Sequence, residues 1–232
     1  MFNLQDIVLN YGNLKVLDRF NLSCNKSQFV CLLGSSGVGK SSILNVLAGI
    51  TKPQSGQVNC NNKRLAYVFQ EPRLLPWFTV EQNMQLGLYS LGLNSKLRAE
   101  RVKSLLPLLG LSGFGDYYPS QLSGGMKQRV SIGRAFAIRP ELLLLDEPFS
   151  ALDENLKQDM RELLDSLQQW HHCTKVMVTH DVSEAIKLSD RIVVLHGRPC
   201  EIVLNIYPES AQRLDRDYMQ QMEQVLLNAV GS

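Results

Sequence analysis

The chain lacks any apolar run approaching the ~20 residues of a membrane-spanning helix; runs such as Leu142 to Leu145 and Ile192 to Leu195 are far shorter. Any role at a membrane is therefore expected through a partner. A secretory pattern is missing too, since Met1-Phe-Asn-Leu-Gln-Asp6 carries an acid and no basic stretch followed by an apolar one. The five cysteines, Cys24, Cys31, Cys60, Cys173 and Cys200, are scattered and match neither a metal knuckle nor a disulfide framework, so a reduced, cytosolic compartment is expected. Neither sign of charge dominates: 24 Lys and Arg against 22 Asp and Glu leave +2, which excludes a basic face spread over the whole chain, and no nucleic-acid partner is expected. Low-complexity segments and internal repeats are absent. What remains, 44% hydrophobic and 20% charged over 232 residues, is a globular composition long enough for one large domain or a core with a subdomain attached.

Against that background the stretch Gly34-Ser35-Ser36-Gly37-Val38-Gly39-Lys40-Ser41 stands out. The run Phe29 to Leu33 before it reads as a buried strand, and Ser42 to Ala48 after it reads as a helix, so the glycines lie in a strand-to-helix turn. Backbone N–H groups of such a loop point inward and the helix N-terminus adds partial positive charge, which together hold phosphate oxygens. Lys40 would reach the terminal phosphates and the Ser41 hydroxyl would donate to a magnesium ion. A glycine turn of no function is the plain alternative, but the flanks and the intact Gly39-Lys40-Ser41 favour a nucleotide-binding protein.

Residues 2–9, 14–22 and 57–69 alternate like strands, broken at Gly12-Asn13, at Ser55-Gly56 and by the polar Asn59 to Lys63, and predict an antiparallel β region around the loop. From Thr79 the texture changes to helices over Val80 to Leu91, Ser95 to Leu109 and Gly124 to Ala137. Strand-like Leu142 to Leu145, Lys175 to Thr179 and Arg191 to Leu195 then alternate with helical Asp153 to Gln169 and Val182 to Leu188, the rhythm of a parallel α/β sheet. Leu156, Met160, Leu163, Leu164 and Leu167 form a core stripe; Tyr218, Met222, Val225, Leu226 and Ala229 form another on a terminal helix expected to dock on its own domain. His171-His172-Cys173 looks metal-like in composition, yet adjacent side chains point apart, so a solvated loop is expected; His196, before Gly197, reads as a surface residue.

Two further segments give the loop its meaning. In Leu142-Leu-Leu-Leu-Asp146-Glu147-Pro148 an apolar strand ends in two carboxylates. Asp146 at the strand end suits a magnesium ion, and Glu147, pointing elsewhere, suits an attacking water, although an acidic turn without a catalytic role has the same appearance. In Leu122-Ser123-Gly124-Gly125-Met126-Lys127-Gln128-Arg129, Ser123 is a good N-cap, the glycines bare the backbone, and the helix N-terminus favours an anion. By itself this is also an ordinary cap.

In combination and in this order, the three segments resemble those of the ATP-binding-cassette (ABC) ATPases. The resemblance covers nearly the whole chain. It implies an α/β fold of the P-loop NTPase, ABC ATPase type: a mixed-sheet core with an antiparallel β subdomain and an inserted helical subdomain. One ATPase domain over 1–232 is expected, with 1–70 and 138–232 as the core and 71–137 as the helical signature subdomain. Tyr11 matches the aromatic that stacks on adenine, with Val16 beside it. Ser35, Ser36, Gly37, Val38, Gly39, Lys40, Ser41 and Ser42 match the phosphate loop, and Ser123, Gly124, Gly125 and Met126 the signature. Gln70 in Val68-Phe-Gln-Glu71 matches the glutamine that reaches magnesium and the attacking water, so Ser41, Gln70 and Asp146 are the implied metal ligands. Ser150-Ala-Leu-Asp153 matches the D-loop, and His180 in Val178-Thr-His-Asp181 the switch histidine on the γ-phosphate. Glu147, His180, Gln70 and Lys40 are the implied catalytic set, with ATP and Mg²⁺ as cofactors. Met126, where many members have glutamine, and Ser42, where threonine is common, are mild departures.

The family architecture implies a composite site in which ATP on one subunit is capped by the signature of another, hence a homodimer or a pair with a related cassette. The segment Phe69 to Val80, with Leu74, Leu75, Pro76, Trp77 and Phe78, resembles that of importer ATPases of the nitrate, sulfonate, taurine and pyrimidine-precursor group. It implies an integral membrane permease as partner, a solute-binding protein indirectly, and a peripheral place on the cytoplasmic face. An apolar seam between subdomains is the other reading of those side chains. A soluble or exporter-associated cassette, or a non-hydrolysing regulatory ATP-binding module, are the alternatives; Glu147 and His180 argue against the last. With only a short region after His196, regulation through an appended β domain is not expected, and Gly231-Ser232 reads either as native or as a remnant.

Overall fold

A computed structural model describes residues 1–60, 62–150, 152–213 and 215–231; Ala151 of the expected D-loop and the terminal Ser232 lie outside the described residues. The chain forms two compact units, one of Met1–Lys63, Leu144–Glu147 and Thr174–Ser232, the other of Arg64–Leu143 and Pro148–Cys173.

The first unit holds two sheets. β1 (Phe2–Tyr11) lies between β2 (Leu14–Cys24) and β4 (Ser55–Asn59) in an antiparallel sheet. A register shift between Leu4 and Ile7, with Asp6 at φ 48°, inserts a bulge that keeps Leu4 and Ile7 buried although three residues apart. The central strand of the other sheet is β3 (Phe29–Gly34), buried at every position and paired in parallel with β7 (Thr174–Thr179) and β8 (Arg191–His196). Burial on both faces explains its unbroken apolar sequence. β6 (Leu142–Asp146) runs beside β7, and β9 (Glu201–Ile206) pairs antiparallel with β8. The helices are α1 (Lys40–Leu47), α6 (Val182–Leu188) and α7 (Arg216–Gly231). α7 packs on α6 and β8 with Leu226 buried, while Val225 stays half exposed.

The second unit begins at β5 (Leu65–Val68), the neighbour of β6, where the N–H groups of Glu141 and Leu142 donate to the Arg64 carbonyl. Its helices are α2 (Val80–Gln85), prolonged by a tighter 3₁₀ turn over Leu86–Leu91, then α3 (Ser95–Leu105), α4 (Gly124–Ala137) and α5 (Glu154–Trp170). Each starts at a side-chain cap: Thr79, Asn94, Ser123 and Asp153. The segment 71–137 lies wholly in this unit. So does α5, read from the sequence as part of the core: Leu156 lies against Gly125 and Asp159 pairs with Arg129 at 3.4 Å. The stretch 57–69, read as one antiparallel piece, divides between β4 and β5, which belong to different sheets.

Candidate functional site

In the first unit β3 delivers Gly34 to the loop and α1 starts at Lys40. The turn needs its glycines, because Gly37 and Gly39 have φ of 79° and 119°, where a side chain is strained. Lys40 is 5% exposed, and its ammonium donates to the carbonyls of Gly34 at 2.7 Å and Ser35 at 2.9 Å. Burial pulls its pKa down, and the carboxylates of Glu147 and Asp146 oppose that pull, Glu147 lying 3.9 Å away. The Ser41 hydroxyl donates to Asp146 Oδ1 at 2.9 Å, so the loop and the end of β6 meet as the sequence anticipates.

Glu147 follows β6 in the left-handed region, φ 43°, with its N–H on the Val178 carbonyl at 3.0 Å. Its carboxylate reaches the histidine, with Oε2 3.1 Å from His180 Nδ1. His180 is fixed by its neighbours, since Thr179 Oγ1 donates to the buried Glu184 and accepts from Asp181 N. A cavity of about 270 Å³ joins these parts, with Tyr11 and Val16 on one side and Ser36, Lys40, Ser42 and Glu147 on the other. Leu14, which the sequence reading passed over, also lines it, as do Gly37, Gly39 and Ser41. Ser35 contributes its carbonyl to Lys40, and Val38 is buried and presents its backbone.

The remaining expected residues lie in the second unit. Gln70 is exposed and donates to Ser150 Oγ at 3.1 Å, which brings the glutamine and D-loop segments together. Ser123 caps α4 by accepting from Met126 N at 3.2 Å; Gly124 is exposed, while Gly125 is buried against Leu156. Gln128, 3% exposed, donates to the Pro148 carbonyl at 2.9 Å and ties this helix to the loop after Glu147. Asp153 caps α5. His171 contacts the Pro140 carbonyl rather than a ligand cluster, and among the described residues no three His, Cys, Asp or Glu side chains converge on a metal. His196, expected at the surface, is half-buried, and its Nδ1 has no partner among the described residues.

A phosphate loop facing a carboxylate pair and a histidine, with a second helix on the same chain that is capped by Ser123 and opens on two glycines, defines a P-loop nucleotide hydrolase of cassette type. The sequence matches the ABC transporter family over residues 17–150, and the chain belongs to that family. It is similar to the probable sulfate/thiosulfate import ATP-binding protein CysA of Chlorella vulgaris, 43% identical over 204 residues that cover 84% of this chain and 86% of that protein. The nitrate import ATP-binding protein NrtD of Synechocystis is 39% identical over 218 residues, 89% of this chain and 82% of that one. Among solved structures, the ATP-binding cassette MJ0796 in a dimeric post-hydrolysis state with ADP and Pi superposes with a TM-score of 0.78 at 29% identity, covering 90% of this chain and 99% of that one. The protein is an ATP-binding, ATP-hydrolysing cassette with the α/β fold anticipated from its motifs.

Proposed function

We propose that this chain energises import of a small solute, working as a pair of cassettes on the cytoplasmic face of a membrane beside a separate permease. The functions its relatives are named for, import of nitrate and of sulfate or thiosulfate and transport of bicarbonate, support an importer of the nitrate and sulfonate type. Among the described residues no helix is long and apolar enough to cross a membrane, so docking would need a surface. The observation that carries the reading is the segment Leu74 to Phe78. Trp77 is 67% exposed there, on a loop pinned from below by the fully buried Asn83. An exposed indole on a rigid loop suits a helix of a membrane protein.

In this reading adenine stacks on Tyr11 beside Val16, and the phosphates enter the backbone cradle of Ser35 to Ser42. Lys40 exchanges the carbonyls of Gly34 and Ser35 for phosphate oxygens. Glu147 accepts a proton from the attacking water, and His180 orients that carboxylate and meets the γ-phosphate. Ser41 and Asp146 already meet at 2.9 Å as hard oxygen donors, the small protein share that magnesium takes when phosphates and water complete its shell. Gln70 is the further ligand expected from its motif. The ion would supply charge neutralisation at the phosphate oxygens. Ser123, Gly124, Gly125 and Met126 offer a helix N-terminus to the phosphates held by the partner cassette.

The test is co-purification with a candidate membrane permease co-expressed with this chain. Wild type is expected to be retained and Trp77→Asp released, with ATP binding by Trp77→Asp intact. Equal retention of both would refute the docking surface.

A further inference from the structure

Arg198 belongs to the turn between β8 and β9, and no motif draws attention to it. Its guanidinium donates twice to the carbonyl of Gly37, from Nε at 3.1 Å and from Nη2 at 2.8 Å. The turn is fastened on both sides. Leu195 pairs with Gly34 and His196 with Glu201, and Cys200 N donates to the Val16 carbonyl at 2.8 Å. A Cβ on Gly37 would stand 2.5 Å from Nη2, so the guanidinium lies directly on this glycine.

A trans peptide is planar, and its C=O and the following N–H point in opposite directions. With the Gly37 carbonyl turned to Arg198, the Val38 N–H must face the other way. It does: Val38 N lies 3.4 Å from the Ser35 carbonyl, the same oxygen that accepts from the Lys40 ammonium at 2.9 Å. The Val38 N–H and the Lys40 ammonium thus both donate to one oxygen, the carbonyl that a phosphate oxygen would replace.

We propose that Arg198 is a positioning residue of the phosphate loop: it holds the Gly37–Val38 peptide with its N–H turned toward the nucleotide phosphates, and so sets affinity for ATP and ADP. The proposal rests on Gly34 to Ser41 being the phosphate cradle. Arg198 acts through the peptide, not on the substrate. Its planar fork makes two bonds to one oxygen from a fixed turn, a constraint that a single ammonium cannot reproduce.

The test compares Arg198→Ala, Arg198→Lys and, as control, Lys40→Ala, by ATPase kinetics, ADP calorimetry, melting temperature and the ¹⁵N–¹H signal of Val38. In Arg198→Ala the KM for ATP and the Kd for ADP are expected to rise about ten-fold, the size of one charge-assisted hydrogen bond. The kcat should stay within about two-fold, because cradle contacts serve substrate and transition state alike. Arg198→Lys should fall between, and the Val38 signal of Arg198→Ala should shift without added nucleotide. Unchanged KM and ADP affinity, or a lowered melting temperature with unchanged affinity, would overturn the proposal and leave Arg198 as a tether of its turn. Lys40→Ala separates the two readings. If it keeps tight ADP binding, the cradle itself is misassigned and the proposal falls with it; if it loses ADP while Arg198→Ala does not, the Arg198 proposal alone fails.

Discussion

Replacing Asn83 by alanine should free the proposed docking loop. The side chain is fully buried in α2, and Oδ1 accepts from Leu75 N at 2.8 Å. Nδ2 faces the carbonyls of Leu75, Phe78 and Thr79 at 3.1, 3.0 and 3.0 Å. An amide has two N–H groups, so these contacts amount to roughly three hydrogen bonds, each worth about 1 kcal/mol net. Thr79 keeps one partner after the change, since its carbonyl also accepts from Asn83 N at 2.9 Å. Leu75 N and the Phe78 carbonyl lose theirs, while the Leu75 carbonyl keeps the Phe78 N–H at 3.1 Å. The loss of ~3 kcal/mol corresponds to an opening equilibrium about 100-fold more populated. Hydrogen exchange reads this directly, because the Leu75 amide is protected by Asn83 itself. In Asn83→Ala that amide should exchange about 100-fold faster while core amides such as those of α4 stay nearer their wild-type rates. Asn83→Asp should be no better: it keeps the acceptor for Leu75 but sets a carboxylate against three carbonyl oxygens. Wild-type exchange at Leu75 in Asn83→Ala, or an equal acceleration throughout the second unit, would refute the idea that Asn83 fixes this loop locally.

Glu147→Gln should bind ATP yet lose about 10²- to 10⁴-fold in turnover, the range for a missing general base, and near-normal hydrolysis in a phosphate-release assay would move that role elsewhere. The thiols respond to burial: Cys24 is pushed up to about 11 and Cys200 to about 12, chiefly by desolvation, and Cys31 is pushed up further still. Raised pKa values mean neutral thiols at pH 8, with thiolate growing only as pH approaches those values. A disulfide reagent at pH 8 should therefore show a single fast thiol, the half-buried Cys60, and that phase should vanish in Cys60→Ser; a fast phase surviving the substitution would contradict the burial of the others.

The motifs were legible because each is a short stretch whose spacing is its chemistry. α4 runs over Gly124–Ala137 and α6 over Val182–Leu188, the expected limits, since Ser123 and Asp181 announce their N-termini. α3 ends at Leu105 where periodicity suggested Leu109: Leu106 keeps helical angles and Leu109 N still donates to the Leu105 carbonyl at 3.0 Å, but Pro107 has no N–H to continue the ladder. β9 went unread. Four of its six residues are exposed, so no buried face marked it before it paired with β8. The site divided in the same way. Lys40, Ser41, Asp146 and Glu147 could be named from local pattern and His180 from the family motif it resembles, whereas Arg198 is 161 residues from the glycine it holds. Asn83 looked like any polar residue on a helix; its burial comes from the returning loop, which no local pattern encodes.

α4 connects the pieces of the second unit. At its N-terminus Ser123 presents the proposed phosphate cap, and one turn on, buried Gln128 holds the Pro148 carbonyl. Toward its other end Arg134 donates to the carbonyls of Pro72 and Arg73, each at 2.9 Å, at the start of the docking loop. Ser123 and Arg134 are eleven residues apart, about 16 Å along the axis. Gly133 lets the helix press close to its neighbours, since a Cβ there would stand 2.4 Å from Leu109 and 2.9 Å from Met84. The same loop is also joined to the glutamine segment, because the Arg73 guanidinium lies 3.9 Å over the Phe69 ring, next to Gln70. A shift of the Pro72–Arg73 backbone must therefore either break two charge-assisted hydrogen bonds or carry α4 with it. Such bonds are stronger than neutral ones and a helix resists compression along its axis, so the second course is favoured. A contact on the proposed docking loop would thereby reach Gln70 through Phe69 and Ser123 through α4, the two segments of this unit that the proposed function sets against nucleotide.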